Sequence, residues 1–280
     1  MSKSMAVGTI ILVLALHAGA EETSKVTRQA RLNQLHLAQA GQHKFEADSK
    51  TALKLQEKPI YLWTNPTRNN VQEGAVYVWM KDDRPEVIAT VFSHPERGST
   101  SVRSVTHEFH SLSRKVFDHS HPAQRWKPRA GIETKPVEGA PPVPQSSTRR
   151  KLQVKALARD FTAHSMSLNQ DNRIQLRMLP SPIMTYQPKD DKVLEGSLFV
   201  LAAGVGTDPE VILMIEAVKH EDAYRWEYAV CRYSDQNLYV QHKKKEIWSS
   251  VRGGANQFMN DPKHLYQLMF MGQAPWTEEI

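Results

Sequence analysis

Glu73–His94 reads EGAVYVWMKDDRPEVIATVFSH, and Glu195–Ala217 reads EGSLFVLAAGVGTDPEVILMIEA. Each copy opens on Glu-Gly, runs through an apolar stretch to a polar turn, then continues Pro-Glu-Val-Ile into a second apolar stretch. The likeness extends upstream, where Pro59-Ile60 and Pro182-Ile183 precede the two copies, with Leu53-Lys54-Leu55 and Leu176-Arg177-Met178 before them. Self-similarity over this length is a signature of repeated architecture, since each copy presents the same order of buried and exposed positions. Gly74 to Met80 is apolar at successive positions, which reads as a strand covered on both faces rather than an edge.

In the first copy, Asp82-Asp83-Arg84-Pro85 is turn chemistry between Gly74–Met80 and a partner strand from Val87 to Phe92. Ile60 to Thr64 and Val102 to Leu112 read as further strands, and Leu32, Leu35 and Ala38 mark a preceding helix. Around the second copy, Leu152, Ala156, Leu157 and Phe161 recur at helical spacing. Strands are expected at Ile174–Leu179, Ile183–Tyr186, Ser197–Ala203, Val211–Val218, Tyr224–Tyr233 and Asn237–His242. Ile247-Trp248 ends the sheet, and Lys263–Met269 is assigned a short helix. Lys243-Lys244-Lys245 reads as a solvated hairpin turn. Between the halves, six prolines and two glycines from 122 to 147 leave no periodicity, which reads as a linker. The expected fold is α+β: two repeated modules, each a helix packed on a curved antiparallel sheet of the cystatin or nuclear-transport-factor-like shape. The divisions are a leader over 1–20, modules over 21–121 and 148–280, and the Pro-rich linker over 122–147.

The first twenty residues read as a signal peptide, with Lys3, an apolar run from Met5 to Leu16 and an Ala18-Gly19-Ala20 cleavage pattern. That run is well short of the roughly 18–20 residues of a spanning helix, so the mature chain is expected in the periplasm or outside the cell, with no transmembrane segment. The formal charge of +6 is dispersed among acidic residues, with no basic helix or basic-aromatic stripe, so nucleic acid is not an expected partner. Cys231 is the one cysteine, which excludes an internal disulfide; its apolar strand setting reads as a buried thiol.

GAVYVW with RPE (Gly74–Trp79 and Arg84–Glu86), HEFHSLS (His107–Ser113), ARDF (Ala158–Phe161) and GTDPEVILMIEA (Gly206–Ala217) together resemble a group of uncharacterised secreted proteins of planctomycete bacteria. The resemblance spans nearly all of the mature chain. It implies export and no particular activity.

Chemistry-bearing residues concentrate in the first half, where five of the twelve histidines lie between His94 and His121, with Glu108 and Asp118 among them. Imidazoles and carboxylates are the residues of metal sites and of acid/base catalysis. His107, Glu108 and His110 are the catalytic candidates, and His119 and His121 the metal candidates. In a strand, however, His107 and His110 point to opposite faces, and Glu108 shares its face with His110. By alignment of the two halves Glu227 corresponds to Glu108. Gly204-Val205-Gly206 leads into a strand rather than a helix, so it is not a dinucleotide loop. No cofactor is expected. Trp63 and Trp126, beside Asn-Pro and Lys-Pro, are the candidates for an exposed aromatic contact with peptide or carbohydrate. The expectation is a binding or scaffolding module of the cell envelope rather than an enzyme. The alternatives are an envelope hydrolase with its site at His107, Glu108 and His110, and a structural protein that forms interfaces.

Overall fold

A computed structural model describes residues 28–47, 51–68, 71–123, 126–129, 131–166, 172–190, 192–251 and 261–277. The leader therefore lies outside the described residues. Helix α1 covers 28–40. Strands β1 (Lys44–Ala47), β2 (Thr51–Ala52), β3 (Lys54–Leu55), β4 (Tyr61–Asn65), β5 (Gln72–Lys81), β6 (Arg84–Pro95), β7 (Val102–Ser111), β8 (Asp118–Ser120) and β9 (Lys135–Pro136) follow. Helix α2 (Ser147–Ala158) leads into β10 (Phe161–Met166), β11 (Arg173–Met178), β12 (Met184–Tyr186), β13 (Val193–Ala202), β14 (Pro209–His220) and β15 (Ala223–Arg232). The chain closes with β16 (Asn237–His242), β17 (Lys245–Ser250) and β18 (Tyr266–Pro275).

The protein is mostly β: among the described residues 52% lie in strands and 11% in helices, and the strands form two curled half-barrel sheets. The expected pair of helix-on-sheet α+β modules is thereby overturned. The physical reason is length: a twelve-residue helix such as α2 is only about 18 Å long. It cannot cover the apolar face of a sheet of long strands, so the sheet curls and its outer strands cover the remainder. The larger sheet runs β17-β16-β10-β11-β13-β14-β15-β9, and the other β18-β7-β6-β5-β3, with β12 on β13 and β4 on β5; β2-β1-β8 forms a third, short sheet.

Alternation along the central strands divides the core into three parts. Ala75, Tyr77, Trp79, Val87, Ala89 and Val91 face one cluster, in which Ala40 of α1 also packs. Phe199, Leu201, Val211, Leu213 and Ile215 face another, with Val154, Leu157 and Ala158 of α2. The opposite faces of both sheets meet in a shared cluster that includes Val76, Val78, Ile88, Leu198, Val200, Ile212 and Met214. The all-apolar reading of Gly74–Met80 reflects this burial on both sides. In α2, by contrast, Leu152 is exposed, and the buried positions are Arg150, Val154, Leu157 and Ala158.

A further expectation is corrected. Lys263–Met269 is not a helix: β18 begins at Tyr266 and pairs with β7, from Tyr266 opposite His110 to Pro275 opposite Val102. A strand from the end of the chain thus completes the sheet built by its first half. The Pro-rich stretch is extended and in part buried: Trp126, Ile132 and Val137 are covered and Lys135–Pro136 pairs with β15. Extended chain buries individual side chains without showing any period.

The same order of pairings recurs in the two halves. β4 lies on β5 as β12 lies on β13, and in each case an aromatic ring covers a glycine: Trp63 is opposite Gly74 and Tyr186 opposite Gly196. The carboxylate preceding each glycine binds an arginine of the preceding helix. Arg28 reaches Glu73 at 2.5 and 2.7 Å, and Arg150 reaches Glu195 at 3.2 Å. A Cβ at Gly74 would lie 2.3 Å from the Trp63 ring, and one at Gly196 2.3 Å from the Tyr186 ring. Gly74→Ala and Gly196→Ala are each expected to cost about 1–3 kcal/mol, the usual range for overpacking. Chemical denaturation of the two variants measures this, and an unchanged midpoint in both would contradict ring-on-glycine packing.

Candidate functional site

The candidate residues occupy three separate places. The first is a ring cluster inside the smaller half barrel. His107 projects from β7 toward His43, which follows α1, and His119 sits on β8 beside β1. The Trp126 N–H donates to His119 Nδ1 at 3.1 Å, which leaves the His119 proton on Nε2. That nitrogen is 2.9 Å from His43 Nδ1, so His43 carries its proton on Nε2, 2.8 Å from His107 Nδ1. The chain of donors ends at His107 Nε2, which is buried with no hydrogen-bond partner among the described residues. His121 stacks on His43 at 4.4 Å between ring centres, accepts the Ala123 N–H at Nδ1 and faces Gln42 Oε1 through Nε2. Burial keeps these rings neutral: His107 is pushed down to about 3 and His119 to about 4, with neighbouring imidazoles reinforcing desolvation. His43 is lowered further by the same causes.

This arrangement accounts for His119 and His121 as metal candidates. The inward lone pairs of His43, His107 and His119 are taken up within the chain. Among the described residues no three histidine, cysteine or carboxylate groups are placed to hold a metal ion. The other half carries the same ring positions with different chemistry. Strand pairing sets His43 in the place of Phe161, His107 in that of Tyr228 and His119 in that of Val240. His43 and His107 meet at 5.0 Å and 62°; Phe161 and Tyr228 meet at 5.0 Å and 63°. The histidines therefore do the packing work of aromatic core residues and add a polar chain to it.

The second place is a polar seam between the sheets. Glu108, on the opposite face of β7 from His107, lines a void of about 20 Å³ with Arg68, Asp208 and Tyr233. Desolvation, with Asp235 and Glu210 nearby, raises its carboxyl well above the ordinary range. Glu210 is pushed up to about 7, chiefly by burial and against the pull of Arg68. Arg68 reaches Asp208 at 3.4 Å and Glu210 at 3.3 Å. Glu227 is not the counterpart of Glu108: it pairs with Glu216, which corresponds to Phe92, and Phe92 faces Thr106.

The third place is a cleft of about 450 Å³ bounded by β7, β15, β17 and the start of β18, with His110, Arg129, Tyr228, Arg232 and Trp248 in its walls. His110 donates from Nδ1 to the Ser111 carbonyl at 2.8 Å, and burial lowers it to about 3. His110 faces this cleft, Glu108 faces the small void and His107 faces the ring cluster. The three catalytic candidates are not brought together.

Trp63 and Trp126 are not exposed contacts. Trp63 is 5% and Trp126 1% exposed, with their indole N–H groups donating to Thr90 Oγ1 and the His264 carbonyl, both at 2.8 Å. Sequence reasoning missed His43, because its partners are 64 and 76 residues away and nothing in Gln42-His43-Lys44 marks it. It also missed the cleft, whose walls come from five separate stretches of chain. Fold and site define an antiparallel β protein with two half-barrel sheets, a buried polar seam and an open cleft at a sheet edge. Comparison with protein-family models, curated proteins and solved structures finds no match for this chain.

Proposed function

We propose that this is an exported, non-catalytic binding module of the cell envelope, built from two halves descended from one ancestral unit. Its ligand site is the cleft containing His110 and Trp248. The observation that carries this reading is the dispersal of His107, Glu108 and His110 into three separate environments. A hydrolase needs an acid and a base within reach of one substrate atom, whereas the cleft offers a half-buried aromatic side chain, cationic groups and fixed polar atoms, the vocabulary of recognition. The leader-like first twenty residues support the envelope as the setting, and an envelope protein, peptide or carbohydrate as the partner class.

The test uses purified protein and soluble peptidoglycan fragments. A rise in melting temperature with a change in tryptophan fluorescence is expected, with the fragments recovered intact by mass spectrometry. Cleaved fragments that disappear with His110→Ala would establish the hydrolase reading instead.

A further inference from the structure

We propose that the cleft takes an extended acidic peptide, which enters as an additional β-strand between β15 and β17; this rests on the cleft being the ligand site. β17 and β9 are the two ends of the larger sheet, yet both contribute to the walls of this one cleft. The sheet has therefore curled until its ends face each other across a gap. The walls include the consecutive residues Tyr228, Ala229 and Val230 of β15 and Ile247 to Ser250 of β17. Side chains of consecutive strand residues point to opposite faces, so a wall of consecutive residues is the backbone edge of the strand itself.

Among the described residues the β15 edge is covered only in part. β9 pairs with Glu227 and Tyr228, and the chain before β9 then peels away, with the Ile132 N–H going to the Ser113 carbonyl at 3.0 Å instead of to β15. Arg232 spans the far end, donating from Nε to Ser250 Oγ at 3.0 Å and from Nη2 to the Ser250 carbonyl. Between these two ends Ala229, Val230 and Cys231 leave an open edge for about three extended residues, roughly 10 Å at the rise of a β-strand. Main-chain bonding to an exposed edge is an established mode of peptide recognition, with alternate side chains setting specificity. The lining holds Arg129, Lys135 and Arg232 against the single acid Glu133. Lys135 lies 3.7 Å from Glu133, and Arg232 is held by the Ser234, Gln236 and Ser250 carbonyls. The net positive charge presented to an occupant therefore rests chiefly on Arg129, which with Lys135 stands exposed at the rim. Ile132 supplies a buried apolar floor. An occupant with acidic residues alternating with apolar ones matches both surfaces.

The probe is the capped hexapeptide Val-Glu-Val-Glu-Val-Glu, titrated into the full chain while tryptophan fluorescence and backbone amide exchange are followed. Saturable binding is expected, with exchange slowed at least tenfold at Ala229–Arg232 or Ile247–Ser250. Replacing Glu by Lys in the peptide, or methylating alternate backbone nitrogens, is expected to weaken binding at least tenfold, as is Arg129→Glu with Lys135→Glu at the exposed rim. Binding that survives nitrogen methylation, or protection confined to other strands, overturns the strand proposal. If the hexapeptide fails at millimolar concentration while peptidoglycan fragments still perturb Trp248, as shown by loss of the response in Trp248→Phe, the strand proposal fails and the cleft reading stands. If neither probe perturbs the cleft, both fall.

Discussion

Arg84→Ala is expected to lower folding stability by about 3–5 kcal/mol, the range for removing one partner of a buried ion pair. Arg84 is 4% exposed and joins the two sheets. Its Nε is 2.9 Å from Glu216 Oε1 and its Nη2 3.3 Å from Glu216 Oε2, while Nη1 donates to the Leu112 carbonyl and to Glu86, both at 3.0 Å. Without it, the buried Glu216 carboxylate retains only the Tyr186 hydroxyl at 2.7 Å and Arg114 at 2.9 Å among these partners. The Arg114 side chain is a third exposed, so it compensates less in the presence of solvent. Urea denaturation measures the loss, and a change below about 1 kcal/mol would show that the sheets do not depend on this contact. Arg84→Met combined with Glu216→Leu is expected to recover much of the deficit, because no unpaired charge is left between the sheets.

The second large effect is loss of stability in acid. His36, His107 and His110 are lowered to about 3, His119 to about 4, and His43 in the same direction, all led by burial. Their folded values lie below the unfolded value of 6.5, so the unfolded chain binds more protons between the two. The stability they contribute is complete above pH 6.5 and drains as pH falls toward 4 and then 3. Glu210, raised to about 7, and Glu108, also raised, act in the opposite sense: their contribution is lost as pH rises from the unfolded value of 4.5 through the folded one. These five histidines against the two carboxyls leave a net uptake of about three protons on unfolding near pH 5.5, and His121, His164, His242 and His264, also lowered by burial, add to it in the same sense. At about 1.4 kcal/mol per proton and pH unit, that is roughly 4 kcal/mol per unit, steep against an ordinary stability of about 5–15 kcal/mol. Urea midpoints from pH 7 to 5 measure this slope. Giving the first half the residues of the second, His43→Phe with His107→Tyr and His119→Val, is expected to reduce it substantially, since three of the lowered groups are removed. A slope unchanged in that variant would mean that the ring cluster is not the source.

Several features were legible in the chain because they are local. Asp82-Asp83 and Lys243-Lys244 occupy turns with positive φ, as their composition suggests. Cys231 is fully buried, and burial raises its thiol, as its apolar strand neighbours imply. The strand reading of His107 to His110 placed those two rings on opposite faces, as their separate environments show. Other readings failed for reasons that are equally physical. Trp63 and Trp126 stand beside prolines, and a proline marks where regular pairing stops without saying whether the side chain is covered. Leu152 fits a helical stripe, but Arg150 is the buried residue because Glu195 of β13 awaits it. His43 has no signal of its own, since its role is created by His107 and His119.

The local pattern of residues located the central strands and their turns, though not β9 or β18: alternation along a strand and the residues of a turn are set by neighbours a few positions away. It also determined that the central strands of both halves would be covered on both faces, because their apolar residues run without a break. What covers them is set by long-range packing. The two short helices among the described residues leave most of the apolar area to other strands, so the sheets curl, share a core and take β18 from the far end of the chain. A period of two tells each residue which face it is on, but the surface that meets that face is chosen by long-range packing, and the cleft exists only where that packing leaves a sheet edge uncovered.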